Sequence, residues 1–238
     1  MRSTQLNLEQ YPTDKVTNKY LEVYDPIFTP LVDREIKLLE LGVYAGGSLL
    51  LWKDYFPHST VAGIDHKLPG NTIGQTERIR LFEGSQTDKK FLSQIANEIA
   101  PAGFDIIIDD ASHLGYSTKV SFWHLFKNHL KPGGIYVIED WGTGYWDDVS
   151  DGKVLNLESY SDTGFFRKVA TKLGFKTPMR GHNYGLVGFI KQLIDEQGAG
   201  SVTRKRYTGK SERDSYFENM IITPAIVFVK KHKYACMK

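Results

Sequence analysis

The sequence is poor in cysteine and has no long apolar run. Its 238 residues include one cysteine, Cys236, so no disulfide can form within the chain and a reducing compartment is the expected setting. The polar residues 1–10 lack the apolar core of a signal peptide. No apolar stretch approaches the roughly 20 residues that a membrane-spanning helix needs. We therefore expect a cytoplasmic protein with no membrane partner.

An excess of charge of either sign is also missing. The chain has 30 lysines and arginines against 28 aspartates and glutamates. This balance is too even to indicate a nucleic-acid partner, and no basic stripe is interleaved with aromatic residues. The hydrophobic share of 41% is ordinary for a globular protein with a core. We predict one domain over 35–238, preceded by an ordered N-terminal cap segment over 1–34, and the sequence leaves a homo-oligomer open.

Apolar runs alternate with helix-period segments from about residue 35 to 140. The run of Ile106, Ile107 and Ile108 is typical of a strand that is covered on both faces. The predicted strands are 36–43, 61–65, 79–83, 104–109 and 135–139, and the predicted helices are 47–56, 88–99 and 116–130. The alternation predicts an α/β fold with a doubly wound, mostly parallel sheet.

The pattern is less regular after residue 140. We predict a helix over 165–173, a loop over the glycine-rich stretch 179–188, and a strand over 221–230 that Pro224 interrupts. This last strand is expected to run antiparallel to the others.

A glycine-rich turn joins the first predicted strand to the first helix. Glycines in such a turn let the backbone approach a ligand closely. Dinucleotide enzymes use the spacing G-x-G-x-x-G, but Tyr44 stands where the second glycine would be. We therefore expect S-adenosylmethionine (SAM), which has no phosphate, and we place Glu40, Gly42, Tyr44 and Ser48 at its site. A generic strand-turn-helix corner is the alternative.

The next strand ends also carry polar residues, where ligands bind in this class of sheet. Asp65 is placed to accept both ribose hydroxyls of a nucleoside, although a surface or capping aspartate would look the same. Ser85 and Gln86 are candidates for the adenine edge, but Ser85 is equally suited to capping the following helix. Asp109 is expected near the amino-acid end of SAM.

The densest group of polar residues is predicted where the fourth and fifth strands end. Asp110 ends one strand and Glu139 and Asp140 end its neighbour, so three carboxylates converge. Carboxylate oxygens suit Mg²⁺ better than zinc. His113 would lie at the rim as a general base, since imidazole exchanges protons near neutral pH. The alternatives are helix capping or binding of the SAM amino group by the acids, and a structural role for His113.

These stretches resemble the macrocin and mycinamicin type of metal-dependent sugar O-methyltransferase. The resemblance is carried by Thr13-Asp14-Lys15 with Tyr20 and Tyr24, Glu40-Leu41-Gly42-Val43, Gly46-Gly47-Ser48, Phe104-Asp105-Ile106-Ile107-Ile108-Asp109-Asp110-Ala111-Ser112-His113, Lys131-Pro132-Gly133-Gly134 and Glu139-Asp140. It implies a class I methyltransferase fold of Rossmann-like topology and methylation of a sugar hydroxyl on a natural product, such as an antibiotic, with SAM and Mg²⁺. It also implies that Asp110, Glu139 and Asp140 bind the metal and that His113 is the base. Ser85 stands where the family usually has an acid, so the adenine contacts stay open.

Three other functions would also make use of parts of this pattern. A facial-triad hydroxylase needs a histidine followed two residues later by an acid, and none of the 7 histidines has one. A non-catalytic SAM-binding partner subunit would have little use for the costly acidic cluster. A catechol-type O-methyltransferase is the main alternative, because neighbouring phenol oxygens would suit the same metal.

Overall fold

The computed structural model describes residues 1–68, 77–146, 148–153, 181–205 and 208–233. Seven strands form one sheet in the order β3-β2-β1-β4-β5-β7-β6. The strands are β1 Lys37–Leu41, β2 Thr60–Asp65, β3 Ile79–Glu83, β4 Phe104–Asp109, β5 Leu130–Ile138, β6 Phe217–Ile222 and β7 Val227–Lys231. The pairs among β1 to β5 are parallel, whereas β7 is antiparallel to both β5 and β6. The predicted doubly wound, mostly parallel sheet with an antiparallel last strand is confirmed.

The helices occupy the connections between strands and the N-terminal segment. They are α1 Asp14–Thr17, α2 Leu21–Phe28, α3 Gly47–Tyr55, α4 Lys89–Ile99, α5 Gly115–Asn128, α6 Ser150–Lys153, α7 Gly185–Gln197 and α8 Ala199–Val202. Helix α4 begins after Asp88, whose carboxylate accepts the backbone N–H groups of Lys90 and Phe91. The predicted helices 47–56, 88–99 and 116–130 are confirmed to within two residues at each end.

Strand β4 shows why the centre of the sheet forms here. Ile107 packs in the apolar cluster on one face, and Ile106 and Ile108 pack in the cluster on the other. All three side chains are fully buried, and each contributes about 1.5–3 kcal/mol relative to an exposed position. A strand with aliphatic side chains on both faces is therefore stable only inside a layered α/β fold.

The register of the central strands aligns their carboxyl ends. Leu41 pairs with Asp109, and Asp109 pairs with Ile138. Gly42, Asp110 and Glu139 therefore follow their strands at the same level. This alignment brings residues that are up to about a hundred positions apart in sequence to one edge of the sheet.

Three sequence predictions about local structure were wrong. Strand β5 begins at Leu130 and includes the Lys-Pro-Gly-Gly stretch, because Gly133 takes a positive φ of 76° and the register with β4 shifts there. The stretch 179–188 is not all loop, since helix α7 begins at Gly185 and buries Leu186 and Phe189 against the core. Residues 221–230 belong to two antiparallel strands that turn at Pro224. The predicted helix 165–173 lies outside the described residues.

The N-terminal segment packs into the core on one face of the sheet. Tyr24 and Phe28 of α2 are fully buried, and both rings contact Trp52 of α3 and Phe228 of β7. Edge-on contacts of this kind add to the energy of apolar burial. The segment is therefore anchored close to the carboxyl ends of the strands.

No helix in the described ranges is both long enough and apolar enough to cross a membrane.

Candidate functional site

The glycine-rich turn lies directly beside the end of β4. Gly42 has a φ of 95°, and a Cβ built on it would lie 2.0 Å from the carbonyl oxygen of Asp110. Only glycine fits there, because any side chain would collide with backbone. Tyr44 follows with a positive φ of 47°, and its side chain is 88% exposed. The turn therefore presents backbone and one exposed aromatic ring to the carboxyl edge of the sheet.

Glu40 supports this turn from below. Its side chain is fully buried and accepts hydrogen bonds from the Ser48 hydroxyl at 2.7 Å and the Trp52 indole N–H at 3.4 Å. Burial raises the pKa of Glu40, although the nearby ammonium of Lys15 opposes the rise. The structure thus brings Glu40 and Ser48 together, and both tie β1 to the start of α3.

Two cavities open at the carboxyl edge. The larger, about 820 Å³, is called here the β2–β3 cavity, and residues lining it include Asp65, Ser85, Gln86 and Ser112. The smaller, about 570 Å³, is called the β4–β5 cavity, and residues lining it include Thr13, Asp14, Ser48, His113 and Asp140. Both cavities share Gly42, Tyr44, Ala45, Asp110 and Ala111. The glycine turn therefore separates two adjoining spaces, each large enough for a small molecule.

Asp65 is held by backbone donors at the rim of the β2–β3 cavity. Its Oδ2 accepts the N–H groups of Val43 at 2.8 Å and Tyr44 at 3.1 Å, and its Oδ1 accepts the N–H of Lys67 at 3.2 Å. Burial raises the pKa of Asp65, but these N–H donors outweigh it and hold the pKa below the ordinary aspartate value. Asp65 is therefore a fixed anion beside the turn.

Ser85 and Gln86 both line the β2–β3 cavity, but they differ in surroundings. Ser85 is exposed and its hydroxyl bonds with Thr87. Gln86 is buried; its Nε2 donates to Asp109 Oδ1 at 3.1 Å, and its Oε1 accepts the N–H of Ser112 at 3.2 Å. Gln86 thus connects the ends of β3 and β4, and its role toward a nucleoside stays a prediction.

Asp109 faces the protein interior. It is 2% exposed and accepts hydrogen bonds from Ser121 at 2.7 Å and Tyr136 at 3.1 Å in addition to Gln86. Burial raises the pKa of Asp109, and the three donors oppose the rise. These partners fix the end of β4, whereas direct contact of Asp109 with a ligand stays a prediction.

Asp110, His113 and Asp140 converge on the β4–β5 cavity. Each offers a ligand atom, and these atoms all lie within 4.8 Å of one another. The His113 Nε2 is 3.9 Å from Asp110 Oδ1. Two carboxylates and an imidazole, all partly exposed, form a donor set that fits one divalent cation with oxygen preference or a cation beside a free base. The sequence-predicted pair Asp110 and Asp140 is therefore brought together.

The backbone around this cavity is unusual. Tyr44, His113 and Asp140 have positive φ values of 47°, 53° and 52°. The left-handed region costs a residue other than glycine about 1–3 kcal/mol, and such residues concentrate at functional sites. All three line the β4–β5 cavity. The fold thus maintains strained backbone at the residues that carry the candidate chemistry.

Glu139 lies behind the cluster in the interior. Its side chain is 1% exposed; Oε2 accepts the Lys15 ammonium at 2.9 Å, and Oε1 accepts the Tyr24 hydroxyl. Burial raises the pKa of Glu139 well above its usual range, and Lys15 opposes the rise. Asp140 also has an N-terminal partner, because its Oδ1 accepts the Tyr20 hydroxyl. Binding of a metal by Glu139 stays a prediction.

Lys15 is the site residue to which sequence reasoning gave no role. It is fully buried, and its Nζ lies 2.6 Å from Asp110, 2.9 Å from Glu139 and 3.4 Å from Glu40. Burial lowers the pKa of a lysine, but these three carboxylates outweigh it and raise the Lys15 pKa well above normal. The available signal was electrostatic, since several acids at neighbouring strand ends require a nearby cation.

Comparison with known proteins gives several sequence relatives. No family profile matches the chain. Over 130 residues, 52% of this chain and 31% of the relative, it is 40% identical to mycinamicin VI 2''-O-methyltransferase of Micromonospora griseorubida. Demethylmacrocin O-methyltransferase of Streptomyces fradiae is 37% identical over 130 residues, which is 52% of this chain and 32% of the relative. The 8-demethyl-8-(2-methoxy-alpha-L-rhamnosyl)-tetracenomycin-C 3'-O-methyltransferase of Streptomyces olivaceus is 32% identical over 164 residues, 66% of this chain and 41% of the relative.

Solved structures agree with the sequence relatives. The MycE methyltransferase of the mycinamycin biosynthetic pathway, in complex with Mg, SAH and mycinamycin VI, superposes with a TM-score of 0.62 at 30% identity, over 90% of this chain and 50% of that one. The chain thus spans about a third to a half of the length of the proteins that it matches. The fold is the class I methyltransferase fold, and within the matched part the chain is similar to sugar O-methyltransferases of the macrocin and mycinamicin type.

Proposed function

We propose that the chain carries the catalytic site of an enzyme that transfers a methyl group from SAM to a sugar hydroxyl of a natural product or glycoside, with Mg²⁺. The observation that carries this proposal is the convergence of Asp110, His113 and Asp140 on a cavity that shares its wall with the glycine turn. The relatives named above, which are O-methyltransferases, support it.

The β2–β3 cavity is the proposed site for the nucleoside half of SAM. Asp65 is a fixed anion that can accept ribose hydroxyls, and Gly42 leaves room for close approach of the ligand to the backbone. The MycE relative is a complex with SAH, the product of SAM after methyl transfer. The residues proposed to bind or support SAM are Glu40, Gly42, Tyr44, Ser48, Asp65, Ser85, Gln86 and Asp109.

The acids at the ends of β4 and β5 are the proposed metal ligands. Asp110 and Asp140 already lie within reach of a common ion. Glu139, which is buried behind them, is proposed as the third carboxylate because the resemblance to the sugar O-methyltransferases implies it. A bound Mg²⁺ would lower the pKa of an acceptor hydroxyl and orient it.

His113 is the proposed general base. Its imidazole is 27% exposed, and its Nε2 is the atom that faces Asp110 across 3.9 Å. A neutral imidazole there can take the proton of an acceptor hydroxyl, and Asp110 would stabilise the imidazolium that results. The oxygen then attacks the methyl carbon in line with the departing sulfur. The shared wall of the two cavities supports this geometry, because it keeps the reactants adjacent.

The acceptor is proposed to be a glycosylated small molecule. A catechol acceptor is not favoured by the relatives, one of which is named for a rhamnosyl group on tetracenomycin. We expect the reaction to run in the cytoplasm without nucleic-acid or membrane partners, and a homo-oligomer stays open.

A mass-spectrometric screen tests the proposal. The purified protein is incubated with SAM, Mg²⁺ and two matched panels, one of glycosides and one of catechols. We expect a product heavier by one methyl group in the glycoside panel, together with SAH. Methylation confined to catechols would overturn the sugar acceptor, and SAH binding without any methyl transfer would favour a non-catalytic subunit.

A further inference from the structure

We propose that Lys15 is a positioning residue of the metal site, where its ammonium holds Asp110 and Glu139 in the orientation that a divalent ion requires. This inference rests on the proposed function and assigns a role to a residue that lies outside the predicted ligand set. Lys15 is not itself a ligand, because an ammonium has no lone pair to offer.

The Lys15 ammonium lies where the ends of three strands meet. Lys15 Nζ contacts one carboxylate from the end of each of three strands, Glu40 of β1, Asp110 after β4 and Glu139 after β5. The lysine has no exposed surface, and burying an uncompensated charge costs several kcal/mol. The buried ammonium is therefore stable only if the fold holds its three carboxylate partners close to it.

The contacts from the N-terminal segment are specific for individual carboxylate oxygens. Lys15 bonds Asp110 Oδ2, while Asp110 Oδ1 is the oxygen nearest to His113. Lys15 and Tyr24 take the two oxygens of Glu139, and Tyr20 takes Oδ1 of Asp140. Residues of the N-terminal segment therefore orient every predicted metal ligand. Outer partners of this kind set the direction of the lone pairs that a metal meets.

The backbone of Lys15 is itself held in place. Thr13 caps helix α1 by accepting the Lys15 N–H at 3.3 Å. The preceding Pro12 lies so close to Gly47 that a Cβ there would be 2.1 Å from the Pro12 carbonyl oxygen. Gly47 begins helix α3, which follows the glycine turn. The backbone of the N-terminal segment at Pro12 is therefore in direct contact with the start of this helix. Lys15 thus reaches the acids from a fixed position.

The test compares Lys15→Met with wild type in Mn²⁺ binding, measured from the electron paramagnetic resonance signal of free Mn²⁺. Methionine keeps the volume and removes the ammonium. We expect Mn²⁺ affinity to fall by about 10–100-fold, the usual effect of losing an outer partner of a metal ligand. The matched control is Lys90→Met, since Lys90 is exposed on α4, and it should bind Mn²⁺ like wild type.

The direction in which Mn²⁺ affinity changes distinguishes a positioning role of Lys15 from a purely electrostatic one. If Lys15 acted only as a positive charge, its removal would relieve repulsion and tighten Mn²⁺ binding. Unchanged or tighter binding in a folded Lys15→Met protein would therefore overturn the inference, and calorimetric SAH binding equal to wild type establishes that the protein is folded.

A second variant keeps the test decisive if Lys15→Met does not fold. Tyr24→Phe removes one hydrogen bond to Glu139 and leaves the ring in its core position. We expect it to weaken Mn²⁺ binding by about 10-fold, the lower end of the usual range, because one of the two bonds to Glu139 remains. Unchanged affinity in this variant would overturn the inference when Lys15→Met cannot be measured. If wild-type protein itself binds no Mn²⁺, the proposed function fails, whereas loss of the variant effects alone rejects only the role of Lys15.

Discussion

The acidic side chains at the two cavities of the candidate site are stabilised by different kinds of partner. Asp65, at the β2–β3 cavity, accepts backbone N–H groups from its own loop and from the neighbouring turn, and its pKa is lowered. Asp110, at the β4–β5 cavity, and Glu139, buried behind it, depend on Lys15 of the N-terminal segment, and burial raises the pKa of both carboxyl groups. Asp65 is therefore an anion that is held in place by its own neighbourhood. Asp110 and Glu139 instead share one buried ammonium, that of Lys15, which comes from a distant part of the sequence.

Removal of the metal should have the largest effect, and it should affect the two cavities differently. With EDTA we expect methyl transfer to vanish and to return when Mg²⁺ is added in excess. SAH binding, which we propose for the β2–β3 cavity, should persist in the chelator. Transfer measured by mass spectrometry and SAH binding measured by calorimetry check the two halves, and full transfer in EDTA would remove the metal from the proposal.

The second largest effect is expected for His113. His113→Asn should lower turnover by about 10²-fold or more, because the proposed general base is lost. Asparagine is the chosen replacement since it tolerates the positive φ of 53° at this position. SAH affinity should match wild type. Near-normal turnover under saturating SAM and Mg²⁺ would exclude His113 as the base.

A smaller effect, confined to the other cavity, is expected for Asp65. Asp65→Ala removes an anionic acceptor for ribose and should weaken SAH binding by about 10-fold or more, in line with about 1.5–3 kcal/mol for a hydrogen bond to a charged group. Mn²⁺ binding should change little. Asp195→Ala, at an exposed position, is the matched control. Equal SAH affinity in the variant would remove Asp65 from the nucleoside site.

The smallest effect concerns stability against pH. Because the pKa of Asp65 is lowered on folding, its contribution is present above the ordinary aspartate pKa and is lost as pH falls through the folded value. We expect wild type to exceed Asp65→Asn by about 1 kcal/mol in free energy of unfolding near neutral pH. The difference should shrink below about pH 4. Urea titrations at several pH values measure it, and a difference that grows in acid would contradict the assignment.

The contrast between partners that are near and partners that are distant in sequence explains which features could be predicted from the sequence. The elements 61–65, 79–83 and 104–109 carry their signals within a few residues, as short, largely apolar runs that end in an acid. Asp88 likewise caps α4 from a neighbouring position. The ends of the strands, and with them the neighbourhood of Asp110 and Asp140, therefore followed from local pattern and from the alignment of parallel strands.

The rest depends on contacts that a local pattern does not contain. Lys15 meets Asp110 and Glu139 across 95 and 124 residues of sequence. The start of helix α7 was predicted as a loop because it is rich in glycine. Leu186, Phe189 and Leu193 nevertheless have helical spacing and form its buried face. The interior partners of Asp109 come from α5 and β5. Each of these features forms only when distant elements pack together.

The left-handed backbone at Tyr44, His113 and Asp140 has a consequence for transfer of this site to other scaffolds. Grafting the side chains of Asp110, His113 and Asp140 onto ordinary strand ends would give the same functional groups pointing in other directions, since φ sets where a side chain leaves the chain. The portable unit is therefore the set of strand ends with their connecting turns, held by a packed sheet beneath. A designer would have to copy the main chain first and the chemistry second.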